Sequence, residues 1–177
     1  HLEQKYGVRI MLHTGDLSHT AAIDALAGAI RDDPAIRILV NNAGFADYGD
    51  VHTRDPENLR RMIHLHCDAV VTLSHAALSP MLKRLTGTII NISSMAALFP
   101  YPRHALYGAS KRFINAFSES MALGYAKAGI QVTAVCPGMT RTDFHSRMGL
   151  DPEKVFKTHG IEKALDPQEV VTDSIRC

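Results

Sequence analysis

NISSMAALFPYPRHALYGASK, residues 91–111, decides how the rest of the chain reads. Ile89–Ser93 is a short apolar run opened by Gly87 and closed by Ser93-Ser94, which suits a buried strand ending at a sheet edge. From Ala105 to Ala126 apolar residues recur at helical spacing through Phe113, Ala116, Phe117, Met121 and Leu123. The spacing predicts a helix with Tyr107 and Lys111 on one face, one turn apart. An ammonium beside a phenol favours the phenolate, so the Tyr107 pKa is expected to fall below its usual value of about 10. Such a phenol gives a proton to a carbonyl oxygen or takes one from an alcohol, and Ser94 can hydrogen-bond the same oxygen. Taken alone, the pair also fits an ordinary half-buried tyrosine beside a solvated lysine.

Outward from this stretch the pattern alternates between strand and helix. Leu2–Gly7 reads as the end of a helix with Gly7 as its cap, and Val8–His13 as a strand. Thr20–Arg31 carries one apolar stripe, Ile23, Leu26, Ala27 and Ile30, and is predicted helical. Ile36–Val40 is almost wholly apolar, the pattern of a parallel strand buried on both faces. Asn41–Gly44 follows at its carboxyl end, where ligands bind in open α/β sheets. Asp55-Pro56-Glu57 is a helix start, and Leu59, Met62, Ile63, Cys67, Val70, Val71, Ser74, Leu78 and Leu82 hold helical spacing after it. Ile130–Cys136 reads as a further buried strand, and Asp166-Pro167-Gln168-Glu169-Val170 opens a last helix.

Five landmarks stand in order along this frame. They are Asp16-Leu17, Asn41-Asn42-Ala43-Gly44, Asn91-Ile92-Ser93-Ser94, Tyr107-Gly108-Ala109-Ser110-Lys111, and Pro137-Gly138 with Thr142. With them, from about residue 2 to 175, the chain resembles the short-chain dehydrogenase/reductase family. The resemblance implies an α/β fold, a Rossmann-like doubly wound parallel sheet, in one domain over 1–177. It implies an NAD(P)-dependent oxidoreductase that interconverts a ketone and a secondary alcohol by hydride transfer, with NAD or NADP as cofactor. Tyr107 is then the general acid/base, Ser94 and Lys111 its catalytic partners. Cofactor contacts fall to Asp16, Leu17, Asn41, Ala43, Gly44, Tyr107, Lys111, Pro137, Gly138 and Thr142. Asp16 accepts from the adenine amino group in that reading, and is a simple helix cap in the plain one. Asn41–Gly44 either lines the cofactor ribose or only braces the sheet.

One catalytic position departs from the family, which has asparagine where this chain has His66. That asparagine holds a water linking the lysine to solvent. Imidazole can donate, accept and relay protons near neutral pH, or His66 can be a packed neutral histidine without a role in turnover. Leu98, Phe99, Tyr101 and His104 form either a substrate wall, which suits a small hydrophobic alcohol or carbonyl compound, or packing under a lid. That lid is expected over 143–163. In the family, helices equivalent to 55–84 and 105–126 pair between subunits, so a homodimer or homotetramer is implied.

The family also begins with a glycine-rich turn that holds the pyrophosphate, and no Gly-x-x-x-Gly-x-Gly occurs here. The chain opens on His1 in mid-pattern. The expectation is a fold truncated at both ends, either an excerpt of a longer protein or a shortened chain. Its sheet then has an open gap, or Val8–Leu12 moves beside Ile36–Val40.

Bulk properties narrow the classes further. At 177 residues, 21% charged and net charge +1, one domain is expected and no polybasic signature for nucleic acid exists. No apolar run reaches membrane-spanning length. Ten histidines and three cysteines show no metal-ligand spacing; Cys67 and Cys136 sit in apolar contexts that suit buried thiols in a reducing cytoplasm. Two other functions stay open. One is a catalytically inactive scaffold or oligomerisation protein. The other is a hydrolase with Ser94 as nucleophile and His66 or His104 as base, although no nucleophile-elbow sequence surrounds Ser94.

Overall fold

A computed structural model describes residues 2–144 and 164–176. Its centre is a parallel three-stranded sheet in the order β1 (Ile38–Asn41), β2 (Gly87–Ile92), β3 (Ile130–Val135). Ile38 lies opposite Thr88 and Gly87 opposite Ile130. Each parallel step needs a crossover, and long helices supply it. Before the sheet lie α1 (Leu2–Tyr6) and α2 (Thr20–Asp32). Between β1 and β2 run α3 (Pro56–Ile63), a π-helical turn (His64–Asp68) and α4 (Ala69–Arg84). α5 (Ala105–Tyr125) joins β2 to β3, and α6 (Pro167–Arg176) closes the described chain.

Local chemistry explains the boundaries. Asp55 caps α3 by accepting from the Glu57 N–H, with Pro56 at the first helical position, where its missing N–H is harmless. Gly7 ends α1 at φ 65° and donates to the Glu3 carbonyl, as its place in the sequence predicts. Gly129 turns the chain into β3 at φ 73°, so close to Leu85 that an added Cβ would run into its carbonyl oxygen.

One core lies between the helices and one face of the sheet. It joins Ile23, Ala27 and Ile30 of α2 to Leu73, Ala77 and Met81 of α4, Met121 of α5, and Ile89, Ile130 and Val132 of the strands. Along β2, buried Gly87, Ile89 and Asn91 alternate with half-buried Thr88, Ile90 and Ile92. The sheet is thus a parallel, Rossmann-like one flanked by helices.

Three expectations change here. Val8–His13 is not a strand: it has no ladder partner among the described residues, and Val8, Met11 and Leu12 are exposed. Its apolar residues suit a pleated strand, but only pairing makes one. Val8–Leu12 does not move beside Ile36–Val40: among the described residues β1 pairs with β2 alone, and its other edge is open. The strand after α2 is not buried on both faces, because Leu39 meets the core while Ile38 and Val40 are 62% and 52% exposed. Cys67 and Cys136 are free and half-buried rather than buried. The lid expected over 143–163 falls, at 145–163, outside the described residues. Among the described residues no helix is long and apolar enough to cross a membrane.

Candidate active site

The three strands end on one edge, and their carboxyl-terminal turns carry Asn41–Gly44, Ser93-Ser94 and Cys136–Gly138. This edge is stitched together. Ser93 N–H donates to the Val135 carbonyl at 2.7 Å and Met95 N–H to the Pro137 carbonyl at 3.0 Å. Behind it, the buried Asn91 side chain accepts from the Asn41 amide at 2.8 Å and donates to Ser118 at 2.8 Å. The Asn41 amide also reaches Ser74 at 3.2 Å. Asn41 therefore braces the sheet, while Asn42 and Ala43 are exposed beside it.

α5 faces this edge with its first two turns. Ser94, extended at φ −167°, accepts from the Ala96 N–H at 3.1 Å, and its hydroxyl is near enough to the Tyr107 phenol to draw its pKa down. Lys111, 5% exposed, donates to the Ile92 carbonyl at 2.8 Å and sits 5.7 Å from the centre of the Tyr107 ring. The main chain is held as well: Ser93 Oγ donates to the Lys111 carbonyl at 3.0 Å. Arg112 donates to the Ala97 and Leu98 carbonyls at 2.8 and 3.3 Å, closing the turn after Ser94.

Burial sets the protonation states. It pushes the Tyr107 phenol up, only partly offset by the Ser94 hydrogen bond. The expected depression is overturned. The ammonium points at a backbone carbonyl, so it does not offset the loss of solvation that disfavours phenolate. Burial also brings Lys111 down to about 8, against a smaller opposing pull from the nearby thiols of Cys136 and Cys67.

His66 projects from the π-helical turn into the same site and is 1% exposed. Single π turns are frequent at functional positions because they re-aim side chains within a helix. Its Nε2 accepts from the Phe45 N–H at 3.3 Å, and Nδ1 meets Ser110 Oγ at 2.8 Å. Burial first, then the Lys111 charge, pushes its pKa down to about 3. A relay through a titrating imidazole is not the arrangement seen, nor does either nitrogen face Ser94 as a base. Gly44 makes room for the ring, since a Cβ there would lie 3.0 Å from His66 Nε2 and 3.7 Å from Lys111 Nζ.

Aromatic rings border the phenol. His104 is 5.9 Å from the Tyr107 ring and 4.8 Å from Tyr48, and Phe144 is 6.1 Å from Tyr107. Leu98, Phe99 and Tyr101 are exposed nearby in sequence. The 45–54 and 98–104 loops meet where Gly49 N–H donates to the Arg103 carbonyl at 2.9 Å. Arg103, at φ 63°, lays its guanidinium over Tyr48.

Asp16 and Leu17 stand in a different cluster. Asp16 accepts from the Ser18 N–H and hydroxyl at 2.9 and 2.7 Å and from Arg61 at 2.9 Å. Those bonds, the Ser18 hydroxyl foremost, take its pKa down to about 2. Leu17 packs against the core. Thr142 N–H donates to Thr140, which bridges to Leu165, and Gly138 comes near Met95 and Leu165. Sequence reading missed Ser110, Arg112 and Arg61. Ser110 was readable as a hydroxyl one turn after Tyr107; Arg61 reaches across 45 residues and left no local signal.

These residues fit half of a nicotinamide nucleotide. The edge offers a close backbone approach at Gly44, a buried ammonium with two N–H bonds beyond the one to Ile92, and a phenol–hydroxyl pair. That suits the ribose and nicotinamide. The pyrophosphate cradle has no counterpart among the glycines of this sequence.

Comparison with known proteins agrees. A family model described as short chain dehydrogenase matches residues 1–152. Inactive 2-(S)-hydroxypropyl-CoM dehydrogenase 2 of Xanthobacter autotrophicus is 39% identical over 143 residues, covering 78% of this chain and 62% of that protein. A 3alpha-hydroxysteroid dehydrogenase of Mediterraneibacter gnavus is 34% identical over 142 residues, covering 80% of this chain and 56% of that protein. The chain thus spans less than two thirds of the length of both. A short-chain dehydrogenase from Sphingobium yanoikuyae, solved with NADPH, superposes with a TM-score of 0.91 at 30% identity. That match covers 99% of this chain and 66% of the solved one.

Proposed function

The chain belongs to the short chain dehydrogenase family, and on that premise we propose that the protein is an NAD(P)-dependent oxidoreductase interconverting a ketone and a secondary alcohol. The observation that carries this reading is the Ser94 hydroxyl acting on the Tyr107 phenol, with the buried Lys111 ammonium 5.7 Å from the centre of its ring and anchored on the Ile92 carbonyl. A bound nicotinamide supplies or accepts the hydride. Gly44 and Ala43 with Lys111 would hold its ribose, and Pro137, Gly138 and Thr142 its carboxamide side; Asp16 and Leu17 would meet the adenine. The NADPH bound to the Sphingobium relative supports this choice of cofactor class.

In reduction, the Tyr107 hydroxyl donates its proton to the carbonyl oxygen while Ser94 hydrogen-bonds that oxygen and fixes its position. The raised phenol pKa keeps Tyr107 protonated at neutral pH, as a proton donor requires. In oxidation the same proton returns to Tyr107. The apolar and aromatic border of His104, Phe144, Leu98 and Phe99 suits a small hydrophobic substrate. One Rossmann-like domain over 1–177, wound on both faces of its sheet, and a lid over 143–163 complete the proposal. So does pairing of subunits through 55–84 and 105–126, which the exposed Phe113 and Leu123 of α5 support. A cytoplasmic setting accords with the free thiols of Cys67 and Cys136.

The test is quenching of NADH or NADPH fluorescence on binding, with turnover measured on a panel of aryl and alkyl methyl ketones. Tyr107→Phe is expected to lower turnover by about 10³-fold or more while binding persists. Retained turnover in that variant would defeat the proposal; self-association without nucleotide binding would favour the scaffold reading.

A further inference from the structure

We infer that His66 is a positioning residue for Tyr107, a neutral imidazole that fastens the backbone leaving β1 to the first turn of α5 through Ser110. Three bonds run in one direction. Phe45 N–H donates to Nε2 at 3.3 Å. Nδ1 meets Ser110 Oγ at 2.8 Å, and Ser110 Oγ donates to the Tyr107 carbonyl at 2.8 Å. Each member has one proton to give, and the directions are forced. Because Nε2 accepts from an amide, the ring proton is on Nδ1, and the Ser110 hydroxyl, spent on Tyr107, can only accept it.

The placement is built rather than incidental. The π-helical turn at His64–Asp68 directs the ring inward, and Gly44 lets the backbone lie close over it, where a Cβ would come within 3.0 Å of Nε2. The ring edge also packs 5.8 Å from the Tyr107 ring and 6.2 Å from Phe45. The titratable groups facing it are Lys111, from which it stays uncharged, and Tyr107. Protonation of Nε2 would set an N–H against the Phe45 N–H, leaving a buried amide without an acceptor. The imidazole therefore holds the wall that the cofactor ribose is proposed to meet and the phenol in one fixed relation. It is a brace where the family has a water-holding amide.

This assignment rests on the proposed role of Tyr107, so its test uses no turnover. Nitrogen-15 spectra of histidine-labelled full-length chain are expected to show His66 as the Nδ1–H tautomer, unchanged from pH 5 to 8. In His66→Phe, which keeps a ring but loses both bonds, the Phe45 amide is expected to exchange with solvent about tenfold faster or more. The Tyr107 titration, followed by carbon-13 at Cζ, is expected to rise by about half a unit or more as its Ser94 contact loosens. His66→Gln, with a donor and an acceptor, should recover part of both. Ser110→Ala breaks one link and should move the Tyr107 titration the same way; it serves if His66→Phe does not fold. An Nε2–H tautomer, a second protonation between pH 5 and 8, or an unmoved Tyr107 titration in folded His66→Phe or Ser110→Ala would each overturn the assignment. A chain that passes these tests yet turns over no ketone refutes the proposed activity and leaves the brace standing.

Discussion

Tyr107 and Lys111 are both pushed by burial toward their neutral forms, and the lysine is the more informative to titrate. Its folded pKa, about 8, lies below the usual lysine value of 10.5. Below about pH 8 both folded and unfolded chains carry the charge, and the fold bears the cost of burying it. Between about 8 and 10.5 the unfolded chain binds more protons, so stability must rise with pH over that window. Tyr107 acts oppositely above about pH 10, where the unfolded phenol ionises first. Urea unfolding of wild type and Lys111→Met at pH 7.5, 8.5 and 9.5 separates the two. The rise is expected in wild type and absent in the variant; parallel profiles would place the lysine in contact with solvent. Asp16 is the acid counterpart: its pKa of about 2 lies below the unfolded value. Its contribution is present above the unfolded pKa and lost as pH falls through the folded one.

At the scale of elements, Asn91 joins β1, β2 and α5 in a single polar chain with Asn41 and Ser118. Asn91→Leu keeps the branching of the side chain but removes its hydrogen bonds to Asn41 and Ser118, and should lower unfolding free energy by about 1–3 kcal/mol. Gly129→Ala should destabilise by about 1 kcal/mol or more, since the alanine Cβ meets both an unfavourable φ and the Leu85 carbonyl. Chemical denaturation with unchanged m-value checks both. What sequence made legible follows the same division. α2, the Asp55-Pro56 start of α3 and the Tyr107–Lys111 face of α5 rest on period and capping chemistry, which are local. The Val8–His13 segment was misread because strand character depends on a partner far away in sequence. The π turn that aims His66 has no local signature, and Arg61 reaches Asp16 only after folding. The Tyr107 shift was misread because its sign is set by burial, which one face of a helical pattern does not disclose.

For the whole molecule, α2, α4 and α5 converge on one core while β1, among the described residues, leaves one edge unpaired and two apolar side chains exposed, Ile38 and Val40. An unpaired strand edge promotes association. Produced as this 177-residue chain, the protein is expected to self-associate at micromolar concentration. Lysine at both Ile38 and Val40 should shift its sedimentation toward smaller species; an unchanged distribution would assign association to another surface, such as the Phe113 and Leu123 face of α5. The proposed convergence of the Tyr107 phenol and the Ser94 hydroxyl on one substrate oxygen is tested most directly by isotope transfer. A methyl ketone is incubated with nicotinamide nucleotide deuterated at the transferring position of C4, and the alcohol is analysed by mass spectrometry. Wild type should place one deuterium on the carbinol carbon of each product molecule, and Tyr107→Phe, still binding nucleotide, should place almost none. Transfer by Tyr107→Phe at the wild-type rate, or no transfer by a wild-type protein that binds both ligands, would contradict that convergence.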